Sequence, residues 1–343
     1  MNKRDYAVDF IRLVAILAVV VIHTTTYFLD RVTPLTSEFY VLHAINQFFR
    51  FAVPAFFAIS GYLLASHYSK GLDIKKFYSR RFGKILIPYF SWSLIYFLVV
   101  FPNPIKDLFS KIFINDLLTG DTSYQLYFIP AIIILYFIFP ILINFKNFFL
   151  NKWFIFLLFI VEAIIQSYVY FAEPKITILS CIPIAFYNLL PFLIGIYAAI
   201  KIDDFRKFVG GNLKLIGLIT IISLLLIYFE SLYMFATTLL PMYLRDQWRI
   251  TVPIYGLSAS GLLYYFYMEK LNKTVSYLSR FSLGVFFIHV AILHNLLIFF
   301  FNYKLYDFFS FLVSLFLTIF LSFLFCIVLS RIKFINWLYG LRA

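Results

Sequence analysis

The sequence predicts an all-α protein, a polytopic integral membrane bundle of about ten transmembrane helices, and three observations lead to this prediction. Hydrophobic residues make up 63% and charged residues only 13% of the 343-residue chain, which is more apolar than a soluble domain can bury. Apolar runs long enough to cross about 30 Å of hydrocarbon recur along the whole chain. Lys and Arg gather in alternate segments between these runs, as they do on the cytoplasmic side of membrane proteins.

Each apolar run is interpreted as one helix, because about 20 residues at about 1.5 Å per residue span the hydrocarbon. The ten predicted spans cover residues 7–28, 46–66, 85–101, 125–144, 153–171, 186–200, 214–232, 250–268, 281–301 and 307–330. Segment 233–248 is ambiguous and fits a re-entrant or interfacial piece. We expect residues 1–343 to form a single transmembrane domain with no fused soluble domain.

The basic residues predict the orientation of the chain. With the N-terminus inside, 20 Lys and Arg residues fall in cytoplasmic segments and 8 in external ones, so both termini are expected in the cytoplasm. The net charge of +13 is scattered between apolar runs, which argues against nucleic acid as a partner. The two cysteines, Cys181 and Cys326, give neither a disulfide framework nor a metal-site spacing.

The first span carries an arginine and a histidine eleven positions apart, Arg12 and His23. At 100° per residue the interval ends about 20° beyond three full turns, so both side chains leave one helix face, about 16 Å apart along the axis. Asp9, three residues before Arg12, joins that face and can pair with it. The alternative is that Arg12 snorkels to the cytoplasmic interface and His23 caps the outer end of the helix.

Other ionisable residues within or beside spans are also candidates, because a charge at the bilayer centre costs roughly 2.5 kcal/mol or more. Glu162 is either a proton-relay or substrate residue or a neutral acid hydrogen-bonded to a neighbouring helix. His289 is either catalytic or hydrogen-bonded within the bundle. Arg50, with Arg245 and Arg249, is expected on the external side, where it can meet an anionic glycan or a lipid-linked sugar, or only phospholipid head groups.

One cytoplasmic segment is densely basic. It contains Lys75, Lys76, Arg80, Arg81 and Lys84. Such a run is usually a positive-inside anchor, but it is dense enough to hold an anionic nucleotide cofactor.

Six sequence blocks occur in the order typical of one membrane protein family. They are DFIRLVAILAVVVIHTT, RFAVPAFFAISGYLL, FYSRRFGKILIPY, QLYFIPAIIILY, FLIGIYAA and LSRFSLGVFFIHVAIL. On these blocks the chain resembles the integral-membrane acyltransferase family 3, whose signature is an Arg, ten residues and then a His. The His-Thr-Thr-Thr ending and the Arg50 block look most like the branch that contains the enterobacterial common antigen O-acetyltransferase. Tyr127 stands where many members have tryptophan.

The resemblance implies a reaction and a set of site residues. The reaction is O-acyl transfer, with acetyl-CoA as the expected donor and no metal, to a hydroxyl of a cell-surface polysaccharide or lipid-linked glycan in the bacterial cytoplasmic membrane. The family's essential pair falls on Arg12 and His23, and the late histidine on His289. Its basic motif falls on Arg80, Arg81 and Lys84, and its Ser-Gly-Tyr motif on Ser60, Gly61 and Tyr62.

The residue types suit this chemistry, since a histidine can deprotonate a sugar hydroxyl and cations can bind the CoA phosphates. Arg12, Arg80, Arg81 and Lys84 are therefore expected to bind the donor. Asp9, Arg50, Ser60, Tyr62, Glu162 and His289 are expected to bind substrate or support the site. The alternative is a transporter or flippase for a polysaccharide or lipid-linked sugar that uses Glu162, Arg12 and His23 as a relay, although the sequence has neither a repeat nor matched broken helices.

Overall fold

The computed structural model describes residues 5–100, 111–172, 181–245, 247, 249–332 and 336–339, and the regular elements among them are all helices. The first eight are α1 (Tyr6–Leu29), α2 (Ser37–Phe48), α3 (Ala52–Tyr68), α4 (Ile74–Val100), α5 (Lys111–Thr119), α6 (Phe128–Asn144), α7 (Lys152–Ala172) and α8 (Cys181–Tyr187). The next seven are α9 (Leu189–Ile200), α10 (Ile202–Gly211), α11 (Leu213–Thr238), α12 (Thr251–Tyr267), α13 (Lys273–Ser279), α14 (Ser282–Asn302) and α15 (Phe308–Leu329). Single helical turns cover Phe49–Phe51, Lys146–Phe149, Met242–Arg245 and Asn336–Tyr339.

The structure confirms a polytopic membrane helix bundle. Seven helical segments in the described part of the chain are long and apolar enough to cross a membrane. The remaining predicted spans fall on the shorter helices α6, α9 and α12. Each of the ten predicted spans therefore corresponds to helical structure, although several boundaries differ.

Two helices begin earlier than the hydropathy pattern predicts. Residues 37–68 form one continuous helical segment, with a 3₁₀ turn between α2 and α3. The fourth span was predicted from residue 85, yet α4 begins at Ile74. The basic residues lower the hydropathy of its first turns without breaking the helix, because Lys and Arg are good helix formers. The basic run is therefore a helical extension of a membrane span.

The ambiguous segment 233–248 does not form one re-entrant element in its described part. α11 continues through it to Thr238 and ends at Leu239, whose φ of 57° is left-handed. A short turn, Met242–Arg245, follows. Asp246 and Trp248 lie outside the described residues.

α1 lies at the centre of the bundle and packs against α2, α3, α12, α13, α14 and α15. Close approach of α3 and α9 is made possible by one glycine on each helix. A Cβ on Gly61 would collide with the Phe192 carbonyl oxygen, and a Cβ on Gly195 would collide with that of Ala58. Such small residues let transmembrane helix backbones meet closely. The central packing of α1 and α3 fixes the walls of the site described next.

Candidate functional site

A cavity of about 240 Å³ lies beside α1, with further walls from α3, α6 and α14. It runs along one face of α1 from Arg12 past Val19 to His23, as the eleven-residue spacing predicts. Its lining is mostly apolar, and no acidic side chain lines its described part. Arg12 and His23 therefore lie at separate depths of one cavity.

Arg12 is held by an acidic residue on its own helix. Asp9 is buried, and its Oδ1 lies 3.7 Å from Nη1 of Arg12. The other carboxylate oxygen of Asp9 accepts a 2.6 Å hydrogen bond from the Ser276 hydroxyl of α13. The pair fixes the Arg12 side chain at one end of the cavity, which we call the Arg12 end.

A second arginine lines the Arg12 end. Arg280 lies between α13 and α14 and is exposed, with Ser279 and Ser282 beside it in the cavity wall. In the sequence Arg280 is counted only as one more cytoplasmic positive charge, although it lies in the LSRFSLGVFFIHVAIL block. The fold brings it to the same cavity as Arg12 although 268 positions separate them.

The basic run of α4 leads directly to this cavity. Ile85, the residue after Lys84, lines the wall. Arg80 and Lys84 are exposed on the helix surface, and the guanidinium of Arg81 lies 5.4 Å from the ring centre of Tyr68. The three residues therefore lie on a helix that contributes Ile85 to the cavity wall, and their positive charge suits a long anionic ligand.

At the other end, His23 lies among aromatic rings. Its ring centre is 4.8 Å from that of Tyr124 and 5.3 Å from that of His289. His289 is fully buried, and its Nδ1–H donates a 2.9 Å hydrogen bond to the Val285 carbonyl of its own helix. The structure thus brings together the first and the late histidine of the sequence blocks.

Gln125 also lines the His23 end of the cavity, and it is buried. Its Oε1 accepts a 2.6 Å hydrogen bond from the Ser123 hydroxyl. Gln125 is the first residue of the QLYFIPAIIILY block, and this position could have identified it as a site residue. A polar residue beside an apolar run, however, more often marks a helix end. Sequence reasoning did not single it out.

The Ser-Gly-Tyr residues of α3 point in different directions. Ser60 lines the main cavity, and Gly61 faces α9. The Tyr62 hydroxyl donates a 2.8 Å hydrogen bond to Oδ2 of Asp5, which also accepts from Tyr264. A hydrogen bond from Arg206 to the Tyr264 hydroxyl raises the pKa of that guanidinium. Tyr62 therefore ties α3 to the start of α1.

Arg50 is buried within the helical segment, outside the cavity lining. Its Nε and Nη2 donate to Oδ1 of Asn46, and its guanidinium also bonds the carbonyls of Leu244 and Arg245. Asn46 in turn donates to the carbonyl of Ile22, the residue before His23, at 3.1 Å. Arg50 thus braces α1 next to His23.

Glu162 also lies away from the cavity. It is fully buried in α7, and its Oε1 accepts a 3.0 Å hydrogen bond from the Leu190 backbone N–H. Leu190 is in the first turn of α9, where backbone N–H groups have no partner within the helix. This contact is a helix cap supplied by a neighbouring helix.

No group of three or more His, Cys, Asp or Glu residues that could hold a metal ion occurs in the part of the chain that the structure describes. The groups suited to a cofactor are the cations at the Arg12 end and on α4.

Comparison with known proteins places nearly all of the described chain in one family. A family model described as an acyltransferase domain, acyltransferase 3, matches residues 5–331. Neither curated proteins nor solved structures gave a match. The matched range contains every element that lines the cavity.

Proposed function

The chain belongs to acyltransferase family 3, and on that premise we propose that it moves an acyl group from cytoplasmic acyl-CoA to a hydroxyl of a cell-surface polysaccharide or lipid-linked glycan precursor. The proposed donor is acetyl-CoA, the location is the bacterial cytoplasmic membrane, and the branch is that of the enterobacterial common antigen O-acetyltransferase. The observation that carries the proposal is the single cavity that joins Arg12 to His23.

The Arg12 end suits the donor. CoA carries phosphates, and guanidinium groups bind phosphate through paired charge-assisted hydrogen bonds. Arg80, Arg81 and Lys84 hold the nucleotide at the membrane surface, and Arg12 guides the pantetheine arm into the cavity. The mostly apolar wall beyond Arg12 accommodates the acyl chain and excludes water.

The His23 end suits the acceptor. His23 takes the proton of the acceptor hydroxyl as the oxygen attacks the thioester carbonyl carbon. The new ester C–O bond forms, the C–S bond breaks, and the CoA thiolate leaves with the proton that His23 received. An acyl-histidine that can be trapped on His23 would instead identify it as a nucleophile.

Purified protein in detergent, radiolabelled acetyl-CoA and the lipid-linked glycan fraction of host membranes test the reaction. We expect label in the glycan with wild type and none with His23→Ala. His294→Ala is the matched control, because His294 is an exposed histidine of α14. Full activity of His23→Ala would overturn the base assignment, and no transfer by wild type would favour a transporter.

The donor site is tested separately by acetyl-CoA binding. We expect the triple replacement of Arg80, Arg81 and Lys84 by Gln to weaken binding. The control replaces three exposed residues elsewhere in the basic segments, Lys201, Lys207 and Lys214, so that the loss of charge is equal. Equal binding by the two triple variants would remove the docking role from α4.

A further inference from the structure

The ring of His289 has a defined protonation pattern that leaves one nitrogen without a partner. The Val285 carbonyl can only accept a hydrogen bond, so Nδ1 of His289 carries the hydrogen. A neutral imidazole with a protonated Nδ1 has a bare Nε2 that can only accept. Nε2 is buried and has no hydrogen-bond partner among the described residues.

An unpartnered acceptor in the centre of a membrane bundle is costly, and such atoms call for an explanation. The neighbouring polar ring is that of His23, whose centre is 5.3 Å from that of His289 with planes 31° apart. Two imidazoles joined edge to edge by an N–H···N hydrogen bond of about 3 Å have centres about 5 Å apart. The observed separation therefore suits a hydrogen bond between the two ring edges.

No hydrogen bond joins the two rings in this structure. Contacts of this kind are often long or poorly aligned before substrate binds and shorten in the reacting complex. Rotation of the His23 ring about χ2 changes which of its atoms face His289 at little cost, because terminal ring torsions are broad.

We propose that His289 is the positioning residue of His23, accepting the N–H of one His23 nitrogen so that the other nitrogen is bare and faces the acceptor hydroxyl. The inference rests on the proposed function and adds a residue to it. The Val285 carbonyl orients His289, and His289 orients His23, as a third group orients the base in a catalytic triad.

The proton balance of the reaction supports this assignment. When His23 takes the hydroxyl proton it becomes an imidazolium with two N–H groups. One points toward the leaving thiolate, and the other needs an acceptor. No acidic side chain lines the described part of the cavity, and the unpartnered Nε2 of His289, on a ring 5.3 Å from that of His23, suits this role. The proton then passes from His23 to the thiolate, and His289 keeps its own proton throughout.

Three variants test the proposal in the purified acetyl-transfer assay. His289→Leu removes the acceptor, and we expect kcat to fall by about 10²-fold with little change in the KM for acetyl-CoA. His289→Gln retains an oxygen acceptor near the position of Nε2, and we expect it to keep at least a tenth of wild-type activity. His289→Ala leaves a space of the size of imidazole, and we expect added imidazole to restore its activity.

The rescue experiments separate positioning from a purely structural role. A Leu variant that is as active as wild type would overturn the inference. So would a Gln variant as inactive as Leu together with an Ala variant that imidazole does not restore, since that pattern means that a hydrogen-bond acceptor at this position does not support activity. Wild type that transfers no acetyl group would overturn the proposed function, and this inference with it.

Discussion

Glu162 shows how a buried carboxylate in a membrane helix can be structural. Its Oε1 accepts the Leu190 N–H, and one turn further along α7 the Oε1 of Gln166 is buried with no hydrogen-bond partner in the described chain. The sequence left a relay and a hydrogen-bonded acid as alternatives. The contact favours the second, because it meets the need of a helix N-terminus for an acceptor.

Replacement of Glu162 tests these alternatives. Glu162→Gln keeps the acceptor for Leu190 and adds a donor that can reach Gln166, so we expect an unchanged or higher melting temperature and normal acetyl transfer. Glu162→Leu leaves the Leu190 N–H unsatisfied, and we expect a loss of about 1–3 kcal/mol in the free energy of unfolding. Loss of transfer in a stable Gln variant would indicate a relay instead.

Arg280 leads to a prediction about donor affinity. Arg12 forms an ion pair with Asp9, whereas Arg280 is exposed at the same end of the cavity. A charge-assisted hydrogen bond contributes about 1.5–3 kcal/mol, so we expect Arg280→Ala to raise the KM for acetyl-CoA by about tenfold or more with a smaller effect on kcat.

Steady-state kinetics of two matched variants check the prediction. Lys273→Ala is the control, because Lys273 is an exposed cation at the start of α13, the short helix that ends directly before Arg280. An equal increase in KM in both variants would mean that general charge, and not a contact at the cavity, attracts the donor.

The residues that could be predicted from the sequence are those whose place depends on one helix alone. Helical periodicity was enough to put Arg12 and His23 on one face, and the structure shows both in one cavity. The place of Arg50 depends on backbone carbonyls 194 and 195 positions later in the chain. The spacing of residues within one segment cannot predict such long-range contacts. For the same reason, the contact between the rings of His23 and His289 could not be predicted from helical periodicity.

At the scale of elements, the contact of α3 with α9 depends on two glycines. Gly61 and Gly195 each face a backbone carbonyl of the other helix. Gly61 also lies between Ser60, in the cavity wall, and Tyr62, which is bonded to Asp5. The spacing of α3 and α9 therefore controls the cavity wall as well as the stability of the bundle.

Gly61→Ala is expected to lower the melting temperature in detergent and to reduce acetyl transfer, because overpacking costs about 1–3 kcal/mol. Gly217→Ala is the matched control, since a Cβ there meets no atom within 4 Å. In that helix alanine is favoured over glycine by about 1 kcal/mol, so we expect an equal or higher melting temperature. Similar effects of the two changes would mean that α3 and α9 can separate at little cost.

The N-terminal extension of α4 shows that a hydropathy pattern can misplace the start of a helix. A hydropathy window ends a span where Lys and Arg begin, yet these residues form helices well. α4 therefore continues from Ile74 through the basic run into the apolar segment. A rigid helix, and not a loop, presents Arg80, Arg81 and Lys84 beside the cavity wall at Ile85.

For the whole molecule, the proposed reaction requires one orientation in the membrane. The Arg12 end must face the cytoplasm, where acyl-CoA is made, and the positive-inside rule predicts the same orientation. Asp5 and Asp9 near the start of α1 contact Tyr264 and Ser276 near the end of α12 and in α13, so these elements lie on one side. The loop after α1 lies on the other.

Single cysteines at Thr33 and Thr274 test the orientation, in a chain whose Cys181 and Cys326 are replaced by alanine. Both threonines are exposed, Thr33 in the loop after α1 and Thr274 in α13, and Thr→Cys is a small change. We expect a membrane-impermeant maleimide to label Thr33→Cys in intact cells and Thr274→Cys only after the cytoplasmic face is opened. The reverse pattern would put the arginines of the cavity outside the cell, where they could not bind cytoplasmic acyl-CoA, and the proposed donor would be wrong even if His23 proved essential.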